Sequence, residues 1–155
     1  MSEIAPQLLR FTLGLVGNRA AAEEASQDAL VALVQRWRRH GPPDSPAAFA
    51  FAVARRRAWR EVWRQRVLDP LSVLIEPAAQ SESRAIDSLD AQRALAGLAR
   101  LARRDREALL LVAVGDLSMQ DAANCCRISI SAFKMRLSRA RSRLRKLVED
   151  GHART

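Results

Sequence analysis

Residues 117–147 read LSMQDAANCCRISISAFKMRLSRARSRLRKL, and this stretch decides the fold of the second half of the chain. Ser118 is a good N-cap residue and predicts a short helix over 119–126. Ser129 predicts the start of a second, longer helix after a turn of three to four residues. A short helix, a tight turn and an amphipathic helix at this spacing are typical of a helix-turn-helix.

The longer helix of this motif has one clear apolar side. Phe133, Leu137 and Ala140 share that side, so its burial leaves the opposite side exposed. Basic residues fill the exposed side, and no acid occurs from 122 to 148, whereas a merely solvated helix would normally intersperse acids. We therefore expect this helix to enter the major groove of DNA. The residues predicted to contact DNA are Ser131, Lys134, Met135, Arg136, Ser138, Arg139, Arg141 and Arg143.

Residues 1–67 also read as helices, because Ala, Leu, Arg and Glu dominate and the alternation typical of strands is absent. Gly17-Asn18 ends a first predicted helix. The segment HGPPDSP (40–46) predicts a loop between a second helix and a third one, which begins at Pro46.

An acidic cluster lies on the second helix of this basic half. Glu24, Gln27 and Asp28 fall on the face opposite the predicted apolar stripe, which ends at Trp37. Two interpretations stay open on the residues alone. Acids near a helix N-terminus complement the helix dipole, and an exposed acidic face can dock on a basic partner.

Six arginines crowd residues 55–66 of the third helix, where Glu61 is the one acid. Such a run would follow the phosphate backbone of DNA. Trp59 and Trp63 lie one turn apart within it, and packing into a small core is favoured over stacking on an unpaired base. The arginines predicted to contact DNA here are Arg55, Arg56, Arg57, Arg60 and Arg64.

The charge of the whole chain favours a polyanionic partner. Its 155 residues include 26 basic and 17 acidic ones, a net charge of +9. Residues 1–67 and 91–155 carry net charges of +5 and +8, whereas residues 68–90 carry −4. We therefore predict an all-α protein with two small helical domains, joined by a flexible acidic linker over 68–90.

Several function classes are excluded by the residues present. The two cysteines, Cys125 and Cys126, are adjacent and the two histidines lie far apart, so no metal site is expected. Without a nucleophile–base pair or a phosphate-binding loop, we expect no catalysis, no cofactor and no small-molecule substrate. No apolar run reaches the roughly 18 residues of a membrane span. The N-terminus does not resemble a secretory signal, so we expect a cytoplasmic protein without membrane insertion.

The chain resembles a known family in two places. The stretch 117–147, with RDREALLL before it, looks like region four of bacterial sigma factors of the small extracytoplasmic-function (ECF) type. The stretches VGNRAAAEEASQDALVALVQRW (16–37) and AFAFAVARRRAWREVWRQR (48–66) resemble region two of the same family. The two resemblances occur in the expected order and cover nearly the whole chain.

This resemblance implies a function in transcription initiation. It implies that the chain binds core RNA polymerase, with the β′ clamp helices facing Glu24, Gln27 and Asp28 and the β flap as a second docking surface. It implies that the helix-turn-helix reads the double-stranded −35 element and that the first domain opens the −10 element and holds the melted strand. An anti-sigma factor is a further partner that the resemblance implies, and the polymerase supplies the chemistry.

The chain departs from the family pattern at Ala102, Ala122, Arg127, Arg56 and Arg60, and the last three bear on function. Arg127 stands where the family usually has Gly, in a turn that can require positive φ. Arg56 and Arg60 replace frequent Asn and Asp, which favours phosphate contacts over base contacts there. Two alternatives remain open on the sequence: a stand-alone helix-turn-helix regulator with a helical dimerisation domain, and a sigma-like adaptor that binds an anti-sigma protein and no DNA.

Overall fold

The computed structural model describes residues 3–68 and 89–153, and over these ranges the chain forms seven α-helices and no strand. The predicted all-α class is confirmed. Residues 69–88, which make up most of the predicted linker, lie outside the described residues. The helices are α1 (Ile4–Val16), α2 (Arg19–His40), α3 (Pro46–Leu68), α4 (Leu89–Arg100), α5 (Arg103–Ala113), α6 (Met119–Cys126) and α7 (Ile130–Ala153).

Helices α1, α2 and α3 form an N-terminal bundle around Phe11, Leu33 and Phe51. All three side chains are fully buried. The two phenyl rings meet edge to face with their centroids 5.1 Å apart, a favoured aromatic geometry. Asn18 caps α2, because its side-chain oxygen accepts the N–H of Ala21 at 3.1 Å. The predicted break between the first two helices is confirmed.

The predicted loop before the third helix is confirmed at residues 41–45. Ser45 Oγ accepts the N–H of Ala48 at 3.2 Å, and Pro46 is the first residue of α3, where a missing N–H costs nothing. The cap at Ser45 and the proline at position 46 therefore set the first residue of α3, and this determines which side of the helix each arginine occupies.

The prediction that the buried apolar stripe of α2 extends to Trp37 is wrong. Leu33 is fully buried, but Trp37 is 44% exposed. Residues four apart on a helix are rotated by about 40° relative to each other. A stripe extended at this spacing therefore drifts from the buried face towards solvent.

Helices α6 and α7 form the predicted helix-turn-helix. Ser118 Oγ accepts the N–H of Asp121 at 3.1 Å, and Ser129 Oγ accepts the N–H of Ala132 at 3.1 Å. Both serines therefore act as the N-caps that the sequence predicts. The predicted bounds of the short helix, 119–126, are confirmed.

The turn between these helices carries backbone strain at Arg127, whose φ is 57° and ψ is 41°. A residue with a Cβ atom pays about 1–2 kcal/mol in this left-handed region. Arg127→Gly removes that strain but adds freedom to the unfolded chain. We expect the free energy of unfolding to rise by up to about 1 kcal/mol, measured by urea denaturation followed by circular dichroism. Arg127→Ala keeps the Cβ atom and is the control; an equal gain in this variant would assign the effect to the lost charge.

Helix α5 begins earlier than the sequence predicts. Asp105 precedes the apolar run 108–112 and is a preferred N-cap residue, so the sequence predicts a helix that begins at Arg106. This prediction is wrong, because α5 starts at Arg103 with Ala102 as its N-cap residue. Asp105 is instead buried in the first turn, where its carboxylate pairs with Arg143 of α7. This ion pair fixes α7 against α5 within the C-terminal half.

The two halves of the molecule pack against each other, α1 on α5 and α3 on α6. Their buried apolar residues form one continuous core. The approach is close at Gly14 of α1, where an added Cβ atom would lie 2.8 Å from Leu110 Cδ1. A second contact joins α6 to α3, since the Cys125 thiol donates to the carbonyl of Ala48 with a sulfur–oxygen distance of 3.4 Å. The composition of the chain does not predict this packing.

Candidate nucleic-acid interface

The orientation predicted for α7 is confirmed. Phe133 and Ala140 are fully buried and Leu137 is 2% exposed, so this side of the helix belongs to the core. The opposite side is open to solvent, and Met135 there is 56% exposed. The other predicted contact residues that are exposed are Ser131, Lys134, Ser138, Arg139, Arg141 and Arg143, while Arg136 is half-buried. The predicted DNA-contacting residues other than Arg136 are therefore all accessible on α7.

Arg143 differs from its exposed neighbours because it has a partner inside the protein. Its guanidinium pairs with the buried carboxylate of Asp105, although the arginine side chain itself stays 59% exposed. Charge-assisted bonds of this kind hold the arginine in one place. Arg143 therefore positions α7 as well as adding positive charge beside the recognition surface.

The arginines predicted on α3 fall into two groups. Arg57 pairs with Asp28 of α2 at 3.5 Å, and Arg64 pairs with Glu61 at 2.7 Å, which raises the pKa of Arg64. Arg56 and Arg60 are exposed, and no ion pair binds them within the described ranges. These two side chains are the ones most available to an external phosphate.

Arg55 is turned away from the solvent, which its place in the arginine run does not predict. Its side chain is 21% exposed and pairs with Glu107 of α5, which is almost fully buried. Glu107 is missing from the residues that the sequence singles out. The run of apolar residues that follows it, 108–112, indicates a helix buried on most sides, and that signal could have placed Glu107 in the interior.

The two tryptophans of α3 have different surroundings. Trp59 is half-buried and donates its indole N–H to Glu107 at 2.7 Å, while the guanidinium of Arg103 lies 4.6 Å from its ring centroid. Trp63 is 64% exposed. The sequence favours packing in the core for both tryptophans, and this prediction is wrong for Trp63.

The acidic cluster of α2 is not explained by the helix N-terminus. The helix begins at Arg19, and its first turn contains no acid; Glu23, one turn later, pairs with Arg19 at 2.9 Å. Glu24 and Gln27 are exposed, and Asp28 is half-buried beside Arg57. Helix-dipole complementarity therefore does not explain these acids, and docking on a basic partner stays a prediction.

Comparison with known proteins identifies the family. A family model described as Sigma-70 region 2 matches residues 1–67, and one described as Sigma-70, region 4, matches residues 91–144. The ECF RNA polymerase sigma factor EcfG of Rhodopseudomonas palustris is 29% identical over 150 residues, which are 92% of this chain and 80% of that protein. The chain belongs to the extracytoplasmic-function family of sigma factors. This confirms the predicted family and favours it over a stand-alone helix-turn-helix regulator.

Two further relatives of this ECF sigma factor extend the comparison. An uncharacterised protein of Rhizobium meliloti is 30% identical over 150 residues, which are 90% of this chain but 36% of that longer protein. The sigma factor RpoE of Bartonella quintana, solved in complex with the anti-sigma factor NepR, has a TM-score of 0.73 and 24% identity. The match covers 94% of this chain and 92% of that one, so the two share their fold.

The two cysteines of the ECF sigma factor are free, buried thiols. Burial raises the pKa of Cys125 to about 11. Burial, and then the charge and hydrogen bond of Glu107, raise the pKa of Cys126 well above its ordinary value. Both thiols are therefore protonated at neutral pH, and Cys126 donates its hydrogen bond to Glu107 at 3.0 Å.

Within residues 3–68 and 89–153, no group of three or more His, Cys, Asp and Glu side chains is placed to hold a metal ion. No helix in these ranges combines the length and the apolar character that crossing a membrane requires.

Proposed function

We propose that this chain binds core RNA polymerase and directs it to promoters through three surfaces. The exposed face of α7 reads the −35 element, the exposed arginines of α3 hold the −10 element, and the acidic face of α2 docks on the β′ clamp helices. The β flap is a second docking surface on the polymerase, and an anti-sigma factor is a further partner. The polymerase carries out the chemistry of RNA synthesis.

The observation that carries this proposal is the exposed face of α7. Its helix-turn-helix holds Phe133, Leu137 and Ala140 in the core, which presents a basic surface without acids over the first four turns. A surface of this kind on a second helix of the motif fits the major groove. The solved relative with the same fold is a sigma factor bound to an anti-sigma factor, and this supports the proposed anti-sigma partner.

Exposed groups on α3 support a role in holding the melted −10 strand. Arg56 and Arg60 can bind phosphates, and Trp63, which is 64% exposed, can stack on an unpaired base. Single-stranded DNA is commonly bound by such a combination of cations and aromatic rings.

Run-off transcription with core polymerase on a library of promoters tests the whole proposal. We expect transcripts only when the chain is added to core enzyme, and only from promoters that share a −10 and a −35 sequence. A chain that binds duplex DNA alone but starts no transcript would be a stand-alone regulator. A chain that binds an anti-sigma protein but neither polymerase nor DNA would be an adaptor.

Replacing both Arg56 and Arg60 by alanine should weaken promoter binding through lost phosphate contacts. Each phosphate contact contributes about 0.7 to the slope of log K against log salt on single-stranded DNA. We expect the double variant to lower this slope by about 1.4, measured with the polymerase complex at several salt concentrations.

The control variant removes the same number of positive charges from another part of the protein. Arg38→Ala with Arg39→Ala removes two exposed arginines from the end of α2, outside the proposed DNA surface. This control should keep the wild-type slope. An equal change of slope in both double variants would show that only the overall charge matters.

A further inference from the structure

One buried carboxylate connects the two halves of the molecule. Glu107 of α5 is 1% exposed and binds three groups at once. It accepts from the Arg55 guanidinium, from the Trp59 indole N–H at 2.7 Å and from the Cys126 thiol at 3.0 Å. Two of these donors belong to α3 in the N-terminal half, so Glu107 is the polar centre of the contact between the halves.

We call the contact between the two halves the joint. It consists of the bonds of Glu107 and of the packing of α1 on α5 and of α3 on α6. Gly14 of α1 meets Leu110 of α5 so closely that an added Cβ atom would lie 2.8 Å from Leu110 Cδ1, and the leucine side chain would have to move. The contact of Cys125 with the carbonyl of Ala48 lies beside the same joint. Charged groups inside such an environment interact strongly, because little water is present to screen them.

The closed arrangement cannot serve both promoter elements at once. Elements at −10 and −35 are centred about 25 base pairs apart, which is roughly 85 Å of duplex at about 3.4 Å per base pair. A compact chain of this length has a radius of gyration of about 15 Å. If the proposed function holds, the two halves must separate before both elements are read.

The chemistry of the joint explains what keeps it closed. Carboxylates and phosphates bind the arginine fork in the same way, through charge-assisted hydrogen bonds. Arg55 belongs to the arginine run that we assign to the −10 element, and Glu107 occupies its guanidinium from the other half of the chain. The carboxylate therefore stands where a DNA phosphate would bind.

We propose that Glu107 is an autoinhibitory latch, which holds the free protein closed and masks Arg55 and Trp59 from promoter DNA by imitating a phosphate. The inference rests on the proposed function of α3. It adds that promoter binding by the first domain requires release of Glu107 from the joint.

The test uses the full chain with Glu107→Gln, without polymerase. Small-angle X-ray scattering reports the radius of gyration, and fluorescence anisotropy reports binding to a labelled single-stranded oligonucleotide with a −10 sequence. Affinity for a masked site is reduced by the fraction of open molecules. If about one wild-type molecule in ten is open, the variant should bind about tenfold more tightly, with a radius of gyration larger by several ångströms.

Two further variants separate the latch from other effects. Asp105→Asn neutralises the other buried carboxylate of α5, whose partner Arg143 lies in the same half; it should leave the protein closed. Gly14→Leu forces α1 away from Leu110 without changing any charge; it should open the joint and raise the affinity as Glu107→Gln does. If Glu107→Gln does not fold, Glu107→Asp, which withdraws the carboxylate from α3, replaces it.

The outcomes distinguish the latch from the proposed function. The latch would be overturned if Gly14→Leu increased the radius of gyration and the Glu107 variant did not. It would also be overturned if Asp105→Asn increased the radius of gyration as much as the Glu107 variant does. If Glu107→Gln and Gly14→Leu both increased the radius of gyration but neither bound DNA more tightly, the joint would not mask Arg55 and Trp59 from DNA. Run-off transcription by the wild-type chain decides the proposed function separately, since it depends on polymerase and not on the state of the free protein.

Discussion

Replacing Glu24 and Asp28 together by arginine should lower the affinity for core RNA polymerase about 100-fold. Both acids lie on the outer side of α2, and the first turn of that helix holds no acid. Reversing charges in an interface places like charges opposite each other, which costs several kcal/mol. A loss of about 2.8 kcal/mol corresponds to 100-fold in affinity. Titration of labelled core polymerase at fixed ionic strength measures it.

The fold should survive this change. The single described ion pair that the double variant removes joins Asp28 to Arg57 at 3.5 Å, with both side chains nearly half exposed. Exposed pairs of this kind contribute about 0–1 kcal/mol. Circular dichroism and the urea midpoint should therefore stay close to those of the wild type.

A matched control separates the acidic face from overall charge. Glu149→Arg with Asp150→Arg changes the net charge by the same amount at the far end of α7, where both side chains are exposed. This control should bind polymerase as the wild type does. Equal losses in the two double variants, or no loss in either, would remove the acidic face of α2 from the polymerase interface.

The features that the sequence predicts well are local ones. The caps at Ser118 and Ser129 depend on a side chain and a backbone group three residues away, so residue type and spacing are sufficient. The positive φ of Arg127 agrees with the resemblance, because the family usually has glycine at this position of the turn. The buried side of α7 follows from the spacing of its apolar residues, because α7 has one clear apolar stripe.

The features that the sequence does not predict depend on residues far apart in the chain. Arg55 and Glu107 are 52 residues apart, and they meet because α3 packs on α6, which in turn packs on α5. In a run of arginines, nothing local marks which one turns inward. The prediction for Asp105 is wrong for the same reason, since its partner Arg143 is 38 residues away. A helix-capping acid and a buried ion-pair acid look alike until the tertiary contacts are known.

Arg139 is the residue of α7 that we expect to read a base. It is exposed, and it is separated from Leu137 by about 200° and from Ala140 by about 100° around the helix axis. Because both of those residues are buried, the side chain of Arg139 points away from the core. An arginine at this place can reach the O6 and N7 atoms of guanine with two hydrogen bonds.

Arg139→Ala should therefore abolish the preference for one base pair of the −35 element, a loss of about 1–3 kcal/mol in discrimination. Arg141→Ala is the comparison, because Arg141 lies further along the helix, is exposed and is expected to contact phosphates alone. It should weaken all sequences about equally. Arg143 is unsuitable for this comparison, since its loss would leave Asp105 buried without a partner.

Competition between single-base variants of the −35 element, measured with the polymerase complex, decides between the two roles. A base contact appears as the loss of preference at one position while preferences elsewhere remain. A phosphate contact appears as a uniform loss with a smaller dependence on salt. If Arg139→Ala behaves in the uniform way and Arg141→Ala in the selective way, α7 enters the groove about half a turn further along than we infer, since two residues rotate the helix by about 200°.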